Sequence, residues 1–491
     1  MRDKIRFVRR GRVVELSNVA PTETLLDYLR LREGACGTKE GCAEGDCGAC
    51  TVAVGTPSGE GIAYRPVNAC IQFLGMMDGK EIVAVEDIAG PEGPHPVQAA
   101  MVRHHGSQCG FCTPGIVMAL FTLYHTAEGT PGRRQVTDWL AGNLCRCTGY
   151  RPIIDAARET IDGAPADRFA LAAPETAELL AGLDDRQDVF IGDSDAFFAA
   201  PRTIASLAAL YERHPDATLV AGGTDVGLWV TKQLRELPKI IHLGRVTGLQ
   251  AVEDLGNAVL IGAGATYAAV ERVVAGIDPD LGELWRRLGS RQVRAVGTVG
   301  GNIANGSPIG DTPPALIALG ASLELRRGTA VRAIALEDFF VDYGKQDRGR
   351  GEFLTGILVP KLAENQHFRC FKVSKRFDQD ISSVMGAFRI TLRDGTITGA
   401  RVAYGGMAGV PKRARSVEAR LIGAQPGRMT TWKGAIEAIA EDFKPLTDMR
   451  ASAEYRLDTA RALLAKALVE VAGAPTSITR VTGRREALHD A

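Results

Sequence analysis

Nine of the ten cysteines of this 491-residue chain lie within its first 147 residues, and the spacing of the first group indicates metal chemistry. Cys42, Cys47 and Cys50 form a C-x4-C-x2-C pattern, and Cys70 follows after nineteen intervening residues. This is the spacing of plant-type [2Fe–2S] ligands. The glycines between them suit a loop that wraps an anionic cluster and turns N–H groups toward sulfur. A structural zinc site is the alternative, but zinc sites favour paired knuckles with short gaps between their cysteines.

The second group of cysteines forms two close pairs. Cys109 and Cys112 are spaced C-x2-C, and Cys145 and Cys147 are spaced C-x-C. Each pair precedes a predicted helix start with a proline in its first turn, and we expect Thr113 to cap the first of these helices. Two helix N-termini would then stabilise an anionic cluster. Zinc ribbons rarely use C-x-C, so the spacing favours a second [2Fe–2S] cluster over zinc.

Composition excludes several other classes of protein. Lys plus Arg and Asp plus Glu each number 58, so the zero formal charge disfavours nucleic-acid and polybasic membrane binding. The apolar run at 116–124 is too short to span a bilayer. The N-terminal residues lack the apolar region of a signal peptide, so we expect a cytoplasmic protein with reduced thiols.

The elements that must position the cysteines follow from local patterns. Alternating apolar residues predict a β-hairpin over 5–16, and leucines at 25, 26 and 29 predict a short amphipathic helix before the first cysteine loop. Apolar stretches at 116–124 and 136–140, and a further helix after Pro152, predict a helical bundle. A small sheet with one helix and a bundle therefore carry the two cysteine groups.

The rest of the chain changes character twice. Residues 162–195 are rich in Ala, Pro, Asp and Glu with little periodicity, which indicates an interdomain linker. Strands and helices then alternate, with a helix at 204–211 and a strand at 218–220. From about residue 367 the pattern predicts paired strands at 386–392 and 397–404, followed by helices through residue 472.

Two glycine loops in this region could bind a phosphate-bearing cofactor. The sequence LVAGGTD (219–225) follows a strand, and its adjacent glycines let N–H groups converge on a diphosphate, although an ordinary turn has the same composition. The second loop, VGTVGGN (296–302), offers polar contacts from Thr298 and Asn302, with Asp311 further on. Neither loop completes the G-x-G-x-x-G fingerprint, which disfavours a Rossmann site.

Three motifs together resemble the iron–sulfur module of the xanthine dehydrogenase and aldehyde oxidase family of molybdenum hydroxylases. They are GCAEGDCGAC (41–50), QCGFCTPG (108–115) and GNLCRCTGYRPI (142–153). The resemblance covers the first 160 residues. It implies a plant-type cluster in a ferredoxin-like β-grasp domain and a second cluster in a helical bundle nearer a molybdenum cofactor. Gln108 would then approach molybdopterin held by another domain.

From about Phe197 onward the chain resembles the FAD-binding domain of the same family, whose fold is that of vanillyl-alcohol-oxidase-like flavoproteins. Leu288 replaces an aromatic residue often found there. Tyr343 and the loop 373–380 match segments near the reactive face of the flavin, although a solvated turn is the alternative for the loop. The resemblance implies the following FAD contacts: Thr218, Leu219, Val220, Ala221, Gly222, Gly223, Thr224, Asp225, Leu288, Thr298, Val299, Gly300, Gly301, Asn302, Asp311, Leu354 and Lys372.

We therefore expect a multidomain α+β protein whose metal ligands are the eight cysteines of the two groups, with Cys36 and Cys370 left over. The expected parts are a β-grasp [2Fe–2S] domain (1–85), a helical-bundle [2Fe–2S] domain (86–161), a linker (162–195), an FAD-binding domain (196–366) and a C-terminal α/β flavoprotein subdomain (367–491).

The resemblance also implies a function. Residues 455–468 resemble the closing helix of the family's flavin domain, so we expect no molybdopterin-binding region and no catalytic residue on this chain. Fusion of both modules resembles the small subunit of bacterial two-subunit xanthine dehydrogenases. Electrons from a molybdopterin-binding large subunit would pass through both clusters to FAD and NAD, in a heterotetramer that converts hypoxanthine and xanthine to urate. The alternatives are another molybdenum hydroxylase, acting on aldehydes or N-heterocycles with oxygen or a quinone, and a zinc-stabilised binding protein without redox function.

Overall fold

A computed structural model describes residues 1–59 and 61–480 of the chain. They form two compact units. The first unit comprises Met1–Thr247 and Gly289–Gly297, and the second comprises Gly248–Leu288 and residues 298–480. The last eleven residues of the expected C-terminal subdomain lie outside the described residues. No helix in the described part of the chain has both the length and the apolar character needed to span a bilayer.

A five-stranded sheet with the strand order β2-β1-β5-β3-β4 begins the first unit. The predicted hairpin is confirmed, since β1 and β2 pair antiparallel across a turn in which Arg10 and Gly11 have positive φ. Apolar side chains such as Phe7 and Leu29 fill the core between the sheet and its helix. The elements are β1 (Ile5–Arg9), β2 (Arg12–Leu16), α1 (Leu25–Asp27), β3 (Thr51–Ser58), β4 (Gly61–Asn68) and β5 (Glu81–Val83).

Helices follow the sheet. They are α2 (Val85–Ile88), α3 (Pro96–Arg103), α4 (Thr113–Tyr124), α5 (Arg133–Trp139) and α6 (Arg151–Thr160). Three of them, α4, α5 and α6, correspond to the predicted helical stretches. Helix α4 is apolar on all sides and buried, as a central helix must be. The expected cap at Thr113 is wrong, because Cys112 is the N-cap and Thr113 is the first helical residue. Pro114 is the second helical residue. Because the N–H groups of the first turn have no partner within a helix, the missing N–H of a proline costs no hydrogen bond there.

The segment expected to be an interdomain linker contains regular structure that its weak periodicity did not predict. Helix α7 (Arg168–Gly182) and strand β6 (Val189–Gly192) lie in it. The Asp167 side chain caps α7 by accepting from the N–H of Ala170 at 2.8 Å. Alanine-rich composition favours a helix even without strong periodicity. Leu180 packs near Val8 of the sheet and is buried.

A second sheet completes the first unit, with the strand order β6-β7-β9-β8. Strand β9 pairs parallel with both β7 and β8, and the predicted strand at 218–220 is confirmed as β8. The two sheets of this unit share one apolar core. The further elements are β7 (Phe197–Ala200), α8 (Ile204–Arg213), β8 (Thr218–Val220), α9 (Val226–Thr231) and β9 (Lys239–His242).

The second unit contains two larger antiparallel sheets, with the orders β10-β11-β16-β12-β13 and β17-β18-β19-β20, and a small pair of strands. Both predicted strands near residues 386–404 are confirmed as β18 and β19. In chain order the elements are β10 (Val252–Asp254), β11 (Ala258–Gly262), α10 (Tyr267–Ile277), α11 (Pro279–Arg286), α12 (Arg291–Val296, which belongs to the first unit), α13 (Val299–Asn305), α14 (Thr312–Leu319), β12 (Ser322–Arg327), β13 (Ala330–Ala335), α15 (Leu336–Phe339), β14 (Phe340–Asp342), β15 (Lys345–Gln346), β16 (Phe353–Pro360), β17 (Gln366–Val373), β18 (Val384–Arg393), β19 (Thr396–Gly405), β20 (Lys412–Arg413), α16 (Arg415–Leu421), α17 (Met429–Glu437), α18 (Ile439–Asp442), α19 (Ala453–Val471) and α20 (Thr476–Thr479).

Candidate iron–sulfur and flavin sites

The four cysteines of the first group lie close together: Cys42, Cys47 and Cys50 lie on the loop before β3, and Cys70 lies on a short helical turn after β4. The sulfur atoms of Cys50 and Cys70 lie 3.3 Å apart. Cys42 interacts with Cys47 and Cys70 through its sulfur, which also accepts backbone N–H groups from Asp46 at 3.4 Å and Cys47 at 3.3 Å. We call these four cysteines the inner thiol set. Four sulfurs brought together with N–H groups aimed at one of them fit an anionic [2Fe–2S] cluster.

Backbone conformation and charge explain how this loop is held. Gly45 and Gly48 have positive φ, which lets the chain turn tightly around the sulfurs. The side-chain N–H of Asn68 on β4 donates to the Gly45 carbonyl at 2.8 Å. A hydrogen bond from the Cys47 thiol holds the pKa of Cys42 far below its usual range. The loop therefore favours the thiolate form of Cys42, the form in which a cysteine binds iron, whereas the hydrogen bonds to Cys42 raise the pKa of Cys47 and Cys70.

The other four cysteines form a second group, which we call the outer thiol set. Cys109 interacts with Cys147, and Cys112 interacts with Cys145. Cys109 and Cys147 are exposed, whereas Cys145 is buried. Cys112 is the N-cap of α4, so the positive end of that helix faces the set. Exposure distinguishes this set from the inner one, in which Cys50 and Cys70 are buried.

Two side chains of the GNLCRCTGYRPI motif support the Cys145 turn, and the cysteine spacing alone assigned them no role. The Thr148 hydroxyl lies 3.2 Å from the Cys145 sulfur and accepts from the N–H of Tyr150 at 3.2 Å. Its remaining hydrogen is therefore available to the sulfur. Burial raises the pKa of Cys145, but hydrogen bonds, led by that from Thr148, outweigh it and lower the pKa overall. The Tyr150 hydroxyl accepts from the Cys145 N–H at 2.8 Å.

The first glycine loop leaves donors available for a ligand. Among the described residues, the N–H groups of Gly222, Gly223 and Thr224 have no hydrogen-bond acceptor. A Cβ on Gly222 would lie 2.0 Å from the Val296 carbonyl oxygen, and Gly223 has a φ of +71°. Only glycine fits both positions, and free N–H groups on such a turn suit a diphosphate.

This glycine loop touches the loop of the inner thiol set. The Gln72 side chain donates to the Gly222 carbonyl at 2.8 Å, and Gln72 lies two residues after Cys70. Thr231 on α9 donates to the Ala43 carbonyl at 2.6 Å, and Ala43 directly follows Cys42. The inner thiol set therefore has direct contacts with the candidate cofactor loop of the first unit.

From Val299 onward, the second glycine loop lies in the second unit and its backbone N–H groups donate to neighbouring oxygens. The N–H groups of Val299 and Gly300 donate to carbonyls of the 263–265 segment, and that of Gly301 donates to the Thr298 hydroxyl at 3.0 Å. Thr298 thus caps α13. Asn302 accepts from Thr312 at 2.8 Å. This loop provides a tightly packed wall rather than a set of free N–H groups.

The remaining expected FAD contacts of the second unit include a buried ion pair. Lys372 on β17 lies 2.6 Å from the Asp311 carboxylate, and both side chains are almost fully buried. Ser382 donates to the other oxygen of Asp311. Leu354 is buried, and Leu288 packs against the same core. Sequence reasoning missed Ser382, because nothing in its local pattern relates it to Asp311.

Other predicted site residues lie at the surface. Gln108 is exposed beside Cys109, and Tyr343 is exposed on the turn after β14. The loop 373–380 is partly exposed, and the Arg287 guanidinium stacks on Phe377 at 4.5 Å and donates to its carbonyl at 3.0 Å. The spare cysteine Cys36 is exposed, and Cys370 is buried.

Four family descriptions match consecutive parts of the chain. Residues 8–72 match a 2Fe-2S iron-sulfur cluster binding domain, and residues 84–158 match a [2Fe-2S] binding domain. Residues 194–362 match the FAD binding domain in molybdopterin dehydrogenase. Residues 369–471 match the CO dehydrogenase flavoprotein C-terminal domain.

Similar proteins carry xanthine dehydrogenase names. A xanthine dehydrogenase of Emericella nidulans is 31% identical over 90% of this chain and 36% of that protein. A xanthine dehydrogenase/oxidase of Rattus norvegicus is 33% identical over 83% of this chain and 34% of that protein. The chain thus spans about a third of the length of these relatives.

Solved structures resemble part of the chain. A carbon monoxide dehydrogenase chain from Hydrogenophaga pseudoflava matches with a TM-score of 0.52 and 26% identity, over 55% of this chain and 95% of that one. A quinoline 2-oxidoreductase chain from Pseudomonas putida 86 shares the fold, with a TM-score of 0.52 and 23% identity over 57% of this chain and 97% of that one.

The cysteine sets, the glycine loops and these similarities agree on one assignment. The four matched domains follow each other in one chain, and together they cover most of it. This chain belongs to the molybdenum hydroxylase family and carries its two [2Fe–2S] domains and its FAD-binding domain.

Proposed function

We propose that this chain is the electron-transfer subunit of a xanthine dehydrogenase, which carries electrons from a molybdenum centre on a partner chain to NAD. The observation that carries the proposal is the different placement of the two thiol sets. The outer set has two exposed cysteines, whereas the inner set is more buried. Its loop contacts the first glycine loop through Gln72 and the following helix α9 through Thr231. An outer cluster near the surface would receive electrons, and an inner cluster beside the first glycine loop would pass them to FAD.

The proposal assigns the cofactors to named residues. When bound, the clusters supply one-electron chemistry and FAD converts it to two-electron chemistry. The chain provides burial, spacing and hydrogen bonds to sulfur. We assign one cluster to Cys42, Cys47, Cys50 and Cys70, and the other to Cys109, Cys112, Cys145 and Cys147. We assign FAD to Thr218–Asp225, Leu288, Thr298–Asn302, Asp311, Leu354 and Lys372.

A partner chain is part of this proposal. Phe111 and Leu144 are each about half exposed beside the outer thiol set. A cavity of about 540 Å³ has Gly110 and Thr113, which flank the Phe111–Cys112 pair in the sequence, in its wall, and the apolar side chains of Met101 and Val117 line it. Exposed apolar surface of this kind is typical of a protein interface. We propose that a molybdopterin-binding large subunit covers it, in a cytoplasmic heterotetramer.

The choice of substrate rests on the relatives named as xanthine dehydrogenases. The structurally similar chains are named for carbon monoxide and quinoline, which favours a second candidate function within the same family. That candidate is the equivalent subunit of another molybdenum hydroxylase, which acts on aldehydes or N-heterocycles with oxygen or a quinone as acceptor.

Metal analysis and a visible spectrum test the cofactor assignment. We expect about four iron atoms and one flavin per chain, with overlapping iron–sulfur and flavin absorption. A colourless protein that contains zinc would contradict the proposal. It would favour the zinc-stabilised binding protein instead.

Reconstitution with a molybdopterin-binding partner tests the substrate and the acceptor. We expect xanthine to bleach the iron–sulfur absorption of the complex and NAD to restore it. If an aldehyde bleaches the clusters and xanthine does not, the substrate assignment is wrong. If oxygen or a quinone restores the absorption and NAD does not, the acceptor assignment is wrong.

A further inference from the structure

Three buried, uncharged polar side chains connect the two cysteine loops, and the proposed function gives them no role. Thr51 directly follows Cys50, Asn143 lies two residues before Cys145, and Gln292 lies on α12 of the first unit. Each is at most 1% exposed. We call these three residues the buried clamp. Buried polar groups of this kind are retained when their hydrogen bonds fix a geometry.

The hydrogen bonds of the clamp determine the orientation of every member. Gln292 donates to the Asn143 side-chain oxygen at 2.7 Å and to the Thr51 hydroxyl at 3.3 Å. Asn143 donates to the same hydroxyl at 3.1 Å and to the Gly48 carbonyl at 3.0 Å. With both lone pairs used, the Thr51 hydroxyl donates its hydrogen to the Gly48 carbonyl at 2.7 Å. The clamp therefore ties Asn143 to the loop between Cys47 and Cys50.

One acceptor of the clamp has no partner. The Gln292 side-chain oxygen is buried without a hydrogen-bond donor among the described residues. An unbonded buried acceptor costs free energy. The two hydrogen bonds of the Gln292 N–H₂ group thus fix this side chain in an orientation that leaves its own oxygen without a hydrogen bond. This is the behaviour of a group that positions its neighbours.

The backbones of the two loops touch where the clamp holds them. A Cβ on Gly48 would lie 2.0 Å from the Gly142 carbonyl oxygen, and one on Gly142 would lie 2.2 Å from the Gln292 side-chain oxygen. The N–H of Leu144 donates to the Cys47 carbonyl at 2.9 Å. Leu144 directly precedes Cys145 in the chain. One backbone hydrogen bond therefore connects an inner cysteine, Cys47, to the neighbour of an outer cysteine, Cys145.

We propose that Thr51, Asn143 and Gln292 are positioning residues that hold the Cys47 and Cys145 loops in the contact through which an electron passes between the two clusters. This inference rests on the proposed function. The step is the transfer of one electron: the cluster of the outer set is oxidised and that of the inner set is reduced. No proton moves and no covalent bond forms or breaks. The clamp touches no cluster sulfur and acts through the loops.

Thr51→Val tests the clamp, because valine keeps the shape of threonine and removes the hydroxyl at which both amides converge. Thr51→Ser keeps the hydroxyl and serves as the rescue variant. Thr56→Val, on the same strand outside the clamp, is the matched control. The readouts on the full chain are the magnetic coupling between the two reduced clusters and the rate of intramolecular electron transfer after pulse reduction. Iron and flavin contents are measured alongside.

We expect Thr51→Val to keep its iron and flavin but to weaken the magnetic coupling and slow the transfer about tenfold. That change corresponds to about 1.4 kcal/mol of barrier, the scale of one or two lost buried hydrogen bonds. Thr51→Ser and Thr56→Val should behave as wild type. A wild-type rate and coupling in Thr51→Val would overturn the inference.

A second variant keeps the test decisive if Thr51→Val loses iron. Gln292→Met removes the donors from a helix that carries no cluster ligand, and its coupling and rate then decide the question. A Gln292→Met protein that retains iron, coupling and rate would overturn the inference. Failure of the wild-type chain to hold two clusters would contradict the proposed function instead, so the two failures are distinguishable.

Discussion

At the scale of single residues, hydrogen bonds to sulfur are the means by which this chain can adjust its cofactors. The Thr148 hydroxyl has its acceptor position taken by the Tyr150 N–H, so its hydrogen is left for Cys145. A donor to sulfur favours the more electron-rich reduced cluster and raises its reduction potential.

We therefore predict that Thr148→Val lowers the potential of the outer cluster by tens of millivolts, up to about 60 mV, the equivalent of one ordinary hydrogen bond for a one-electron couple. A redox titration followed by electron paramagnetic resonance measures it. Thr148→Ser should keep the wild-type potential, and the potential of the inner cluster serves as an internal control. An unchanged outer potential in Thr148→Val would show that the hydroxyl does not act on the cluster.

A second prediction at this scale concerns the buried ion pair of Lys372 and Asp311, whose side chains are 4% and 8% exposed. Lys372→Met leaves the Asp311 carboxylate buried with Ser382 as its side-chain donor. We expect a loss of about 3–5 kcal/mol in the free energy of unfolding, together with a lower flavin content. Denaturant unfolding and the flavin-to-protein ratio measure both. Lys433→Met, exposed on α17 and outside the expected FAD contacts, is the control, and equal losses in both variants would contradict the prediction.

At the scale of elements, a single carboxylate, that of Asp167, connects α7 to the helical bundle. The Asp167 side chain caps α7 and also accepts from His95 at 2.8 Å and His125 at 3.0 Å. The N–H of Val97 donates to Nδ1 of His95, so the proton of that imidazole lies on Nε2. A ring that donates from Nε2 cannot bind a metal there, so this buried cluster is a hydrogen-bonded joint between α7, α3 and α4.

This joint predicts a pH dependence. Although burial raises it, hydrogen bonds from His125 and His95 hold the pKa of Asp167 well below its usual range. The carboxylate thus stabilises the fold fully above the unfolded pKa of about 3.9, and this contribution falls by up to about 1.4 kcal/mol per unit as the pH decreases below that value. We expect Asp167→Asn to lose about 2 kcal/mol at neutral pH and to lose less relative to wild type below pH about 4.

Urea unfolding across this pH range measures the difference. Asp162→Asn, in the same segment but exposed, should have wild-type stability at every pH. A difference between wild type and Asp167→Asn that stays constant with pH would contradict the carboxylate charge as its cause, because asparagine can still cap the helix.

At the scale of the whole molecule, all eight proposed cluster ligands belong to the first unit, and Cys370 is the cysteine of the second. Metal sites stabilise the structure that holds their ligands, because the preformed site exists only in the folded state. The effect of removing iron should therefore be confined to one unit.

We predict that chelation of iron under reducing conditions increases hydrogen exchange in peptides of Met1–Thr247 and leaves peptides of residues 298–480 unchanged. Mass spectrometry of the two sets of peptides measures this. The iron-loaded protein is the control. An equal increase of hydrogen exchange in both units would contradict the prediction, because it would show that the stability of the second unit also depends on the clusters.

The sequence alone determined the chemistry and many of the elements, because both are encoded over short distances. The cysteine spacing lies within short motifs, and the hairpin at 5–16 and the buried helix α4 follow from local periodicity and turns. The cap at Thr113 was wrong, because a one-residue shift of a helix start leaves little pattern. Helix α7 within 162–195 was not predicted, because an alanine-rich helix shows little periodicity.

Only the tertiary structure decided which groups meet. It exposes two cysteines of the outer set, buries two of the inner set, and brings the loop of the inner set to Thr231. It also joins Thr51 to Asn143 across 92 residues and Asn143 to Gln292 across 149. Each of these residues is an ordinary polar residue in its local context. They meet because packing of the apolar cores brings distant segments of the chain together. The spacing or periodicity of a single segment cannot predict such a contact.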